Sequence, residues 1–165
     1  MPAAREDDFR AYVVARTPAL SRTAYLLTGD AHLAEDLVQT ALFKAARAWH
    51  RIEGDPEPYV RRILYTQNVS WWRARRLKES ALGTHDAPAP APDTALRLTL
   101  EQALARLTTR QRTVLVLRFF EDLTEVQTGR VLGIGSGTVK SITRQALARL
   151  RTLAPDLAEL IGEAP

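Results

Sequence analysis

Apolar residues recur at intervals of three and four along most of the chain, which is the spacing of amphipathic helices. One such segment follows Asp30, a residue suited to cap a helix, and ends at Gly54-Asp55-Pro56. An earlier one runs from Phe9 to Leu27, with Pro18 at a break or in a first turn, and Thr28-Gly29 closes it. Apolar and polar residues never alternate over a useful length, as they would in a half-buried strand. The pattern predicts an all-α protein.

A stretch rich in proline and alanine interrupts this pattern. Pro88, Pro90 and Pro92 alternate with alanines, which removes amide donors and disfavours helix at each preceding residue. The sequence therefore predicts two small helical domains, at residues 8–80 and 95–153, joined by a flexible linker at 81–94. No internal repeat relates the two halves.

The third helix, predicted over about 57–78, carries the strongest positive charge. Residues 58–80 contain six basic side chains and one acidic one. At about 100° per residue, one side holds the predicted core positions and an adjacent stripe mixes cations, aromatics and an amide. The core positions are Val60, Ile63, Leu64, Gln67 and Trp71, and the stripe is Arg61, Tyr65, Asn68, Trp72 and Arg76. Such a stripe suits single-stranded nucleic acid, although Tyr65 and Trp72 could equally be core aromatics.

The second domain contains a helix-turn-helix signal. A short helix from Thr124 to Leu132 precedes the turn Gly133-Ile134-Gly135 and a long helix over about 136–153. On that helix Val139, Ile142, Ala146 and Leu150 share one side, and the opposite side carries small, cationic and amide residues. That opposite side fits the major groove of DNA, where lysine and arginine reach guanine and glutamine pairs with adenine. The alternative is an ordinary amphipathic helix with a solvated face.

Composition narrows the chemistry. The chain has no cysteine, and its three histidines lie far apart, so we expect no disulfide, no metal site and no cofactor. The first residues lack a charged segment followed by an apolar run, and no stretch is long and apolar enough to cross a membrane. These features predict a cytoplasmic protein that does not contact membranes.

Four segments together resemble the extracytoplasmic-function (ECF) sigma factors of the sigma-70 family, and in particular the sigma-E-like subgroup of high-GC bacteria. They are LTGDAHLAEDLVQTALFKAARAW at 27–49, PYVRRILYTQNVSWWRARR at 58–76, LARLTTRQRTVLVLRFFEDLT at 104–124 and VLGIGSGTVKS at 131–141. Proteins of this family bind RNA polymerase core, recognise promoter DNA with two domains and help to open it. They have no catalytic residues.

The resemblance also assigns roles to residues. It predicts that the clamp helices of the polymerase β′ subunit bind Glu35, Asp36, Leu37 and Gln39. It also predicts that the apolar surface around Leu115, Phe119 and Phe120 lies near the β flap. It assigns the −10 element and its displaced strand to Arg61, Tyr65, Asn68, Trp72, Arg73, Arg75 and Arg76. It assigns the −35 element to Gly137, Thr138, Lys140, Ser141, Arg144 and Gln145. Many relatives are held by an anti-sigma factor, which makes such an inhibitor a candidate partner.

The chain departs from the usual residues of the family at two places, and two other functions remain as alternatives. Thr128 and Gly129 stand where the family usually has an apolar residue and an alanine, and Arg144 and Gln145 also differ from the usual pattern. A stand-alone helix-turn-helix regulator would use the same second domain. An enzyme would need carboxylate pairs such as Glu35/Asp36 or Glu121/Asp122, whose side chains point about 100° apart on a helix and cannot grip one atom together.

Overall fold

A computed structural model describes residues 3–82 and 100–156 of the chain. Within these two ranges the regular elements are helices, and no strand occurs. They are α1 (Ala3–Thr28), α2 (Ala31–Ala48), a 3₁₀ turn (Trp49–Arg51), α3 (Glu57–Leu82), α4 (Leu100–Ala105), α5 (Thr109–Leu115), a π-helical turn (Val116–Phe120), α6 (Glu125–Leu132) and α7 (Ser136–Leu153). Residues 83–94 of the predicted linker lie outside the described residues.

Contacts divide the chain into two compact units, and the division falls within α3. The first unit is Met1–Trp71 and the second is Trp72–Pro165. Each unit buries its own apolar side chains. The fully buried ones include Leu20, Leu27, Leu37 and Leu64 in the first unit, and Val114, Leu117, Val139 and Leu150 in the second.

The first unit is built on α1, α2 and the beginning of α3. The α1 helix continues through Pro18, so the predicted break does not occur, although a proline inside a helix removes one backbone hydrogen bond. The Asp30 side chain accepts a hydrogen bond from the Leu33 amide at 2.9 Å, which confirms the predicted cap of α2. A buried stripe of α2, formed by Ala34, Leu37, Val38, Ala41 and Ala45, packs into the unit.

The second unit uses two reciprocal caps. Thr108 and Gln111 form a capping box at the start of α5, and Thr124 and Gln127 form another at the start of α6. The turn after α6 is left-handed at Gly133, with φ of 67°, so the predicted glycine turn is confirmed. The predicted bounds of the last helix match those of α7.

The structure explains why position 129 in α6 is glycine and not the alanine that is usual in the family. A Cβ added there would lie 2.6 Å from the carbonyl oxygen of Ile134, closer than real side chains approach. The Ile134 amide donates to the Gly129 carbonyl at 2.9 Å, which draws the turn onto the helix. The glycine costs up to about 1 kcal/mol of helix propensity relative to alanine, and in return the turn approaches α6 closely.

Thr128 is a buried threonine whose hydroxyl lacks a hydrogen-bond partner in the described part of the chain. We expect Thr128→Val to stabilise the second unit by about 1 kcal/mol, because valine keeps the shape and removes a desolvated hydroxyl. Urea unfolding of the full chain, followed by far-UV circular dichroism, measures this change.

The matched control is Thr113→Val in the same unit. Thr113 is also buried, but its hydroxyl donates to the Thr109 carbonyl at 2.8 Å. Valine there should lower stability or leave it unchanged, since a satisfied hydroxyl is lost. The same change in stability at both positions would show that the Thr128 hydroxyl has a partner after all.

Candidate nucleic-acid interface

One face of α7 presents all six predicted groove residues to solvent. Gly137, Thr138, Lys140, Ser141, Arg144 and Gln145 are exposed, whereas Val139, Ile142, Ala146 and Leu150 on the other side are buried. Because the buried side fixes the rotation of the helix against α5 and α6, the exposed cations and amide have a defined orientation. A rigid helix with small residues at its N-terminal end and cations in its second and third turns can enter a major groove.

The buried side of α3 differs from the predicted one. Tyr65 is 7% exposed and Asn68 is 4% exposed, and they pack into the unit beside Val60, Leu64 and Val69. Ile63, Gln67 and Trp71, which the sequence placed in the core, are only partly buried. The prediction that Tyr65 and Asn68 lie on an open stripe is therefore wrong, because the helix is rotated toward that flank when it packs.

Arg61 is tied into the protein as well. Its Nε donates to Glu57 Oε1 at 2.9 Å, and its Nη1 lies 3.4 Å from the hydroxyl of Thr23 on α1 and 3.5 Å from that of Tyr65. These contacts give polar partners to the flank of α3 that packs inward. Arg61 thus supports the packing of α3 against α1.

The remaining residues assigned to the −10 element lie in the second half of α3. Trp72 is partly buried, with the Arg110 guanidinium 5.7 Å from its ring centroid. Arg73 and Arg75 are exposed, and the Arg73 Nη2 donates to the Leu132 carbonyl at 2.7 Å. Arg76 lies on the same helix.

The exposed side of α3 in the first unit carries a different set of residues. Tyr59, Arg62, Thr66 and Ser70 are exposed and follow one another at three- and four-residue steps. We call them the outer row of α3. This row was not among the predicted site residues, although its three hydroxyls and one cation recur at helical spacing.

An open pocket lies at the start of the outer row, where the loop after the 3₁₀ turn meets α3. Its volume is about 640 Å³. The side chains that line it come from the loop and from the helix, and they include cations, carboxylates and one aromatic ring. The lining residues are Ala48, Arg51, Ile52, Glu53, Asp55, Pro58, Tyr59 and Arg62. The Tyr59 side chain is 40% exposed, so its ring is accessible from the pocket side. Cations, acceptors and a ring in one concavity suit a nucleotide base with its phosphate.

A partly buried carboxylate holds the first turn of α3. Glu57 Oε2 accepts from the Tyr12 hydroxyl at 2.7 Å and from Arg16 Nε at 3.0 Å, and Oε1 accepts from Arg16 Nη2 at 2.7 Å. Burial raises the pKa of the Glu57 carboxyl, but the hydrogen bonds from Arg16, Tyr12 and Arg61 outweigh this and lower the pKa to about 2. Burial and the hydrogen bond to Glu57 raise the pKa of the Tyr12 hydroxyl.

The exposed side of α2 contains most of the residues predicted to bind polymerase. Glu35, Asp36 and Gln39 are exposed, and Gln39 Nε2 donates to Glu35 Oε1 at 3.3 Å. Leu37 is fully buried, so its assignment to a binding surface is wrong: it belongs to the buried stripe that packs α2 into the unit. The apolar residue on the exposed side is Phe43, which is 65% exposed and lies on the stripe of Asp36, two turns further along.

Two kinds of feature are absent from residues 3–82 and 100–156. In these ranges no three His, Cys, Asp or Glu side chains come together in a group that could hold a metal ion. Their helices also lack a segment long and apolar enough to span a bilayer.

Comparison with known proteins identifies the family. The sigma-70 region 2 family matches residues 12–78, and the sigma-70 region 4 family matches residues 103–152. RNA polymerase sigma-E factor of Streptomyces coelicolor is 39% identical over 151 residues, covering 87% of this chain and 84% of that protein. The ECF RNA polymerase sigma factor SigL of Mycobacterium tuberculosis is 34% identical and covers 84% of each. The chain belongs to the ECF sigma factors.

A solved structure agrees with this assignment. The sigma factor RpoE of Bartonella quintana, in complex with the anti-sigma factor NepR, superposes with a TM-score of 0.60 at 27% identity, over 88% of this chain and 96% of that one. The predicted family, the all-α fold with its helix-turn-helix and the function in promoter-specific transcription initiation are thus confirmed. This sigma factor works with RNA polymerase and promoter DNA.

The Glu57 carboxylate makes the stability of this sigma factor depend on acid. Its pKa is about 2 in the folded chain against an ordinary value of 4.5, so its stabilisation is complete above about pH 4.5 and is lost as the pH falls toward 2. We expect Glu57→Gln to lower stability by about 2 kcal/mol at pH 7, with the difference from the wild type shrinking at pH 3. Urea unfolding followed by tryptophan fluorescence at both pH values checks this. A difference that stays constant between pH 7 and pH 3 would contradict the role of the charge.

Proposed function

We propose that the second unit reads the −35 element of the promoter through the exposed face of α7. The observation that carries this proposal is that Gly137, Thr138, Lys140, Ser141, Arg144 and Gln145 are all exposed on one face of a helix whose other face is buried. Lysine and arginine on that face would meet guanine acceptors or phosphates, and Gln145 can pair with adenine. The small residues at the N-terminal end permit the backbone to approach the groove.

We further propose that the first unit binds the −10 element with the outer row of α3 and the adjoining pocket. Opening DNA requires a place for an extruded base, because unstacking costs a few kcal/mol that stacking and phosphate contacts can offset. The Tyr59 ring offers a stacking surface, and Arg51 and Arg62 in the pocket lining offer cations for a phosphate. We keep the assignment of Trp72, Arg73, Arg75 and Arg76, farther along α3, to the same element, on the resemblance to the family. Arg61, Tyr65 and Asn68 then act as support for the helix.

Polymerase docking follows from two further surfaces. We propose that the exposed side of α2, with Glu35, Asp36, Gln39 and Phe43, binds the β′ clamp helices. Acidic side chains around one apolar anchor suit a basic partner, since charge steers the encounter and the anchor supplies desolvated area.

In the second unit Leu115 is buried and Phe119 is partly buried, but Phe120 is 53% exposed and Val126 is 52% exposed. We propose that these exposed apolar side chains contact the β flap.

Several broader features complete the proposal. The domains extend over about 8–80 and 95–153, which the matches to regions 2 and 4 support. The chain contributes no catalytic group and acts in the cytoplasm, where polymerase meets the promoter. An anti-sigma factor is a candidate partner, since the related RpoE structure is a complex with one.

Reconstitution tests the proposal. The purified chain alone should bind duplex promoter DNA weakly, and core polymerase plus the chain should initiate at a subset of genomic fragments that core alone does not select. Footprints of this holoenzyme should cover both elements. Equal transcription from all fragments, or specific binding to two-fold half-sites without polymerase, would contradict it and favour a stand-alone regulator.

A further inference from the structure

The loop that supplies much of the pocket, residues 52–56, is anchored at both ends to the same helix, α1. At its start, the Trp49 ring packs against Phe9 with centroids 5.0 Å apart and against Tyr12 at 5.3 Å. Arg5 Nη1 donates to the His50 carbonyl at 3.0 Å. These contacts place the chain entering the loop on the first half of α1.

The end of the loop is held by Glu57. Its carboxylate receives four hydrogen bonds, from the Tyr12 hydroxyl, from Arg16 Nε and Nη2, and from Arg61 Nε, at 2.7 to 3.0 Å. Asp55 Oδ1 accepts from the Glu57 amide at 3.0 Å, which closes the last turn of the loop onto the helix. The Glu57 side chain is only 18% exposed.

Tyr12 connects the two anchors. Its ring contacts Trp49 at the start of the loop, and its hydroxyl donates to Glu57 at the end. The two residues after Glu57 are Pro58 and Tyr59, both in the pocket lining. Because Tyr59 follows Glu57 by two residues in the first turn of α3, a displacement of Glu57 would also displace the Tyr59 ring in the pocket.

This cluster exceeds what the start of a helix requires. One exposed acid in the first turn stabilises a helix by about 0.3–1 kcal/mol and needs no partner on another helix. Here four charge-assisted or neutral donors from two helices converge on one carboxylate, which fixes both its position and its rotamer. A site holds its geometry when residues behind it lock the contacting groups, and such locking is what this cluster provides.

We propose that Glu57, with Tyr12, is a positioning residue that sets the base preference of the pocket by fixing the loop and Tyr59 against α1. This inference rests on the proposed function of the pocket. Neither side chain touches DNA. They act by keeping the pocket in one shape, so that one base fits better than the other three.

The test uses the full chain in holoenzyme with core polymerase. The probe is a fork-junction DNA library with a fixed −35 duplex and a randomised single-stranded −10 segment, sequenced before and after binding. The variants are Glu57→Gln and Tyr12→Phe. Phenylalanine at position 12 keeps the ring against Trp49 and removes only the hydroxyl that donates to Glu57. The control is Glu6→Gln, which removes the same charge from an exposed pair with Arg10 on α1, at 3.4 Å.

We expect both variants to lower the enrichment of the preferred base by about fivefold or more, and the control to leave it unchanged. Affinity for a −35 duplex and the yield of holoenzyme should stay at the wild-type level. Hydrogen exchange of the backbone amides of residues 50–55 should accelerate in both variants, because the loop has lost an anchor.

Unchanged enrichment in Tyr12→Phe and Glu57→Gln would overturn the proposal. If Glu57→Gln does not fold, wild-type enrichment in Tyr12→Phe alone overturns it. An equal loss of −35 affinity and base preference would also overturn it, since that result describes general damage. Tyr59→Ala separates the proposed function of the pocket from the positioning role of Glu57 and Tyr12. If Tyr59→Ala leaves the enrichment unchanged, the pocket does not bind a base. If Tyr59→Ala lowers the enrichment but the Glu57 and Tyr12 variants do not, only the positioning role is wrong.

Discussion

Replacing Lys140 and Arg144 together with alanine should lower the affinity of the holoenzyme for −35 duplex DNA by about a hundredfold at moderate salt. A good contact from a basic side chain to a base edge is worth about 1–3 kcal/mol, so two of them account for a loss of this size. Both side chains are exposed on the face of α7 that small residues open to close approach. Truncation leaves the buried side of the helix intact, so folding should not change.

The measurement is a titration of labelled −35 duplex with holoenzyme at several salt concentrations. If both side chains meet phosphates or bases as cations, the slope of log affinity against log salt should fall by about two. Association with core polymerase should remain at the wild-type level, because α2 carries the proposed docking surface.

The matched control removes two cations from α1 in the first unit, Arg10 and Arg22. Both are exposed, so the double alanine variant changes the net charge by the same amount. This control should keep −35 affinity within about twofold, since Arg10 and Arg22 are not part of the proposed −35 surface and salt screens the field of exposed charges. Equal losses in the two double variants would show that α7 acts by overall charge and would refute groove recognition.

Tyr59→Ala should reduce promoter opening by about tenfold or more while leaving holoenzyme yield and −35 affinity unchanged. Stacking of a base on an aromatic ring is worth about 1–3 kcal/mol, and Tyr59 is the aromatic side chain in the pocket lining. Without the ring, an extruded base loses its stacking partner, and the equilibrium returns toward closed duplex. Permanganate reactivity of thymines in the −10 element measures the opened fraction.

Tyr25→Ala provides the comparison. Tyr25 on α1 has a similar exposure, 36% against 40% for Tyr59, but does not line the pocket. It should keep wild-type opening. If both alanine variants open the promoter normally, Tyr59 is a surface residue without a role in melting, and the base must be received elsewhere.

Much of the secondary structure could be predicted because local signals agree with it. Asp30 caps α2, Gly133 adopts the left-handed turn, and α7 has the predicted bounds. The exposed face of α7 was predictable too, since its apolar and polar residues separate cleanly at helical spacing. Pro18 was misjudged because a proline signals a break locally, whereas packing keeps α1 helical on both sides of it.

The candidate site was harder to predict where two flanks of a helix are alike. On α3, Ile63 and Trp71 on one side and Tyr65 and Trp72 on the other are equally apolar, so periodicity cannot decide which flank is buried. Leu37 was assigned to polymerase with its acidic neighbours, although it is one of the buried positions of α2. The pocket is formed by a loop together with the first turns of α3, and the spacing of residues in the sequence does not predict that the two lie side by side.

By itself the sequence determined an all-α chain with a basic third helix and a helix-turn-helix, because helical periodicity, caps and glycine turns are local properties of neighbouring residues. The four segments that resemble the ECF sigma factors indicated the family. Only the tertiary structure decided the rotation of α3, the burial of Tyr65, Asn68 and Leu37, and the contacts of Tyr12 and Arg16 with Glu57. Those features depend on which helix packs against which, and contacts between side chains more than 40 residues apart in the chain follow from three-dimensional packing and not from local pattern.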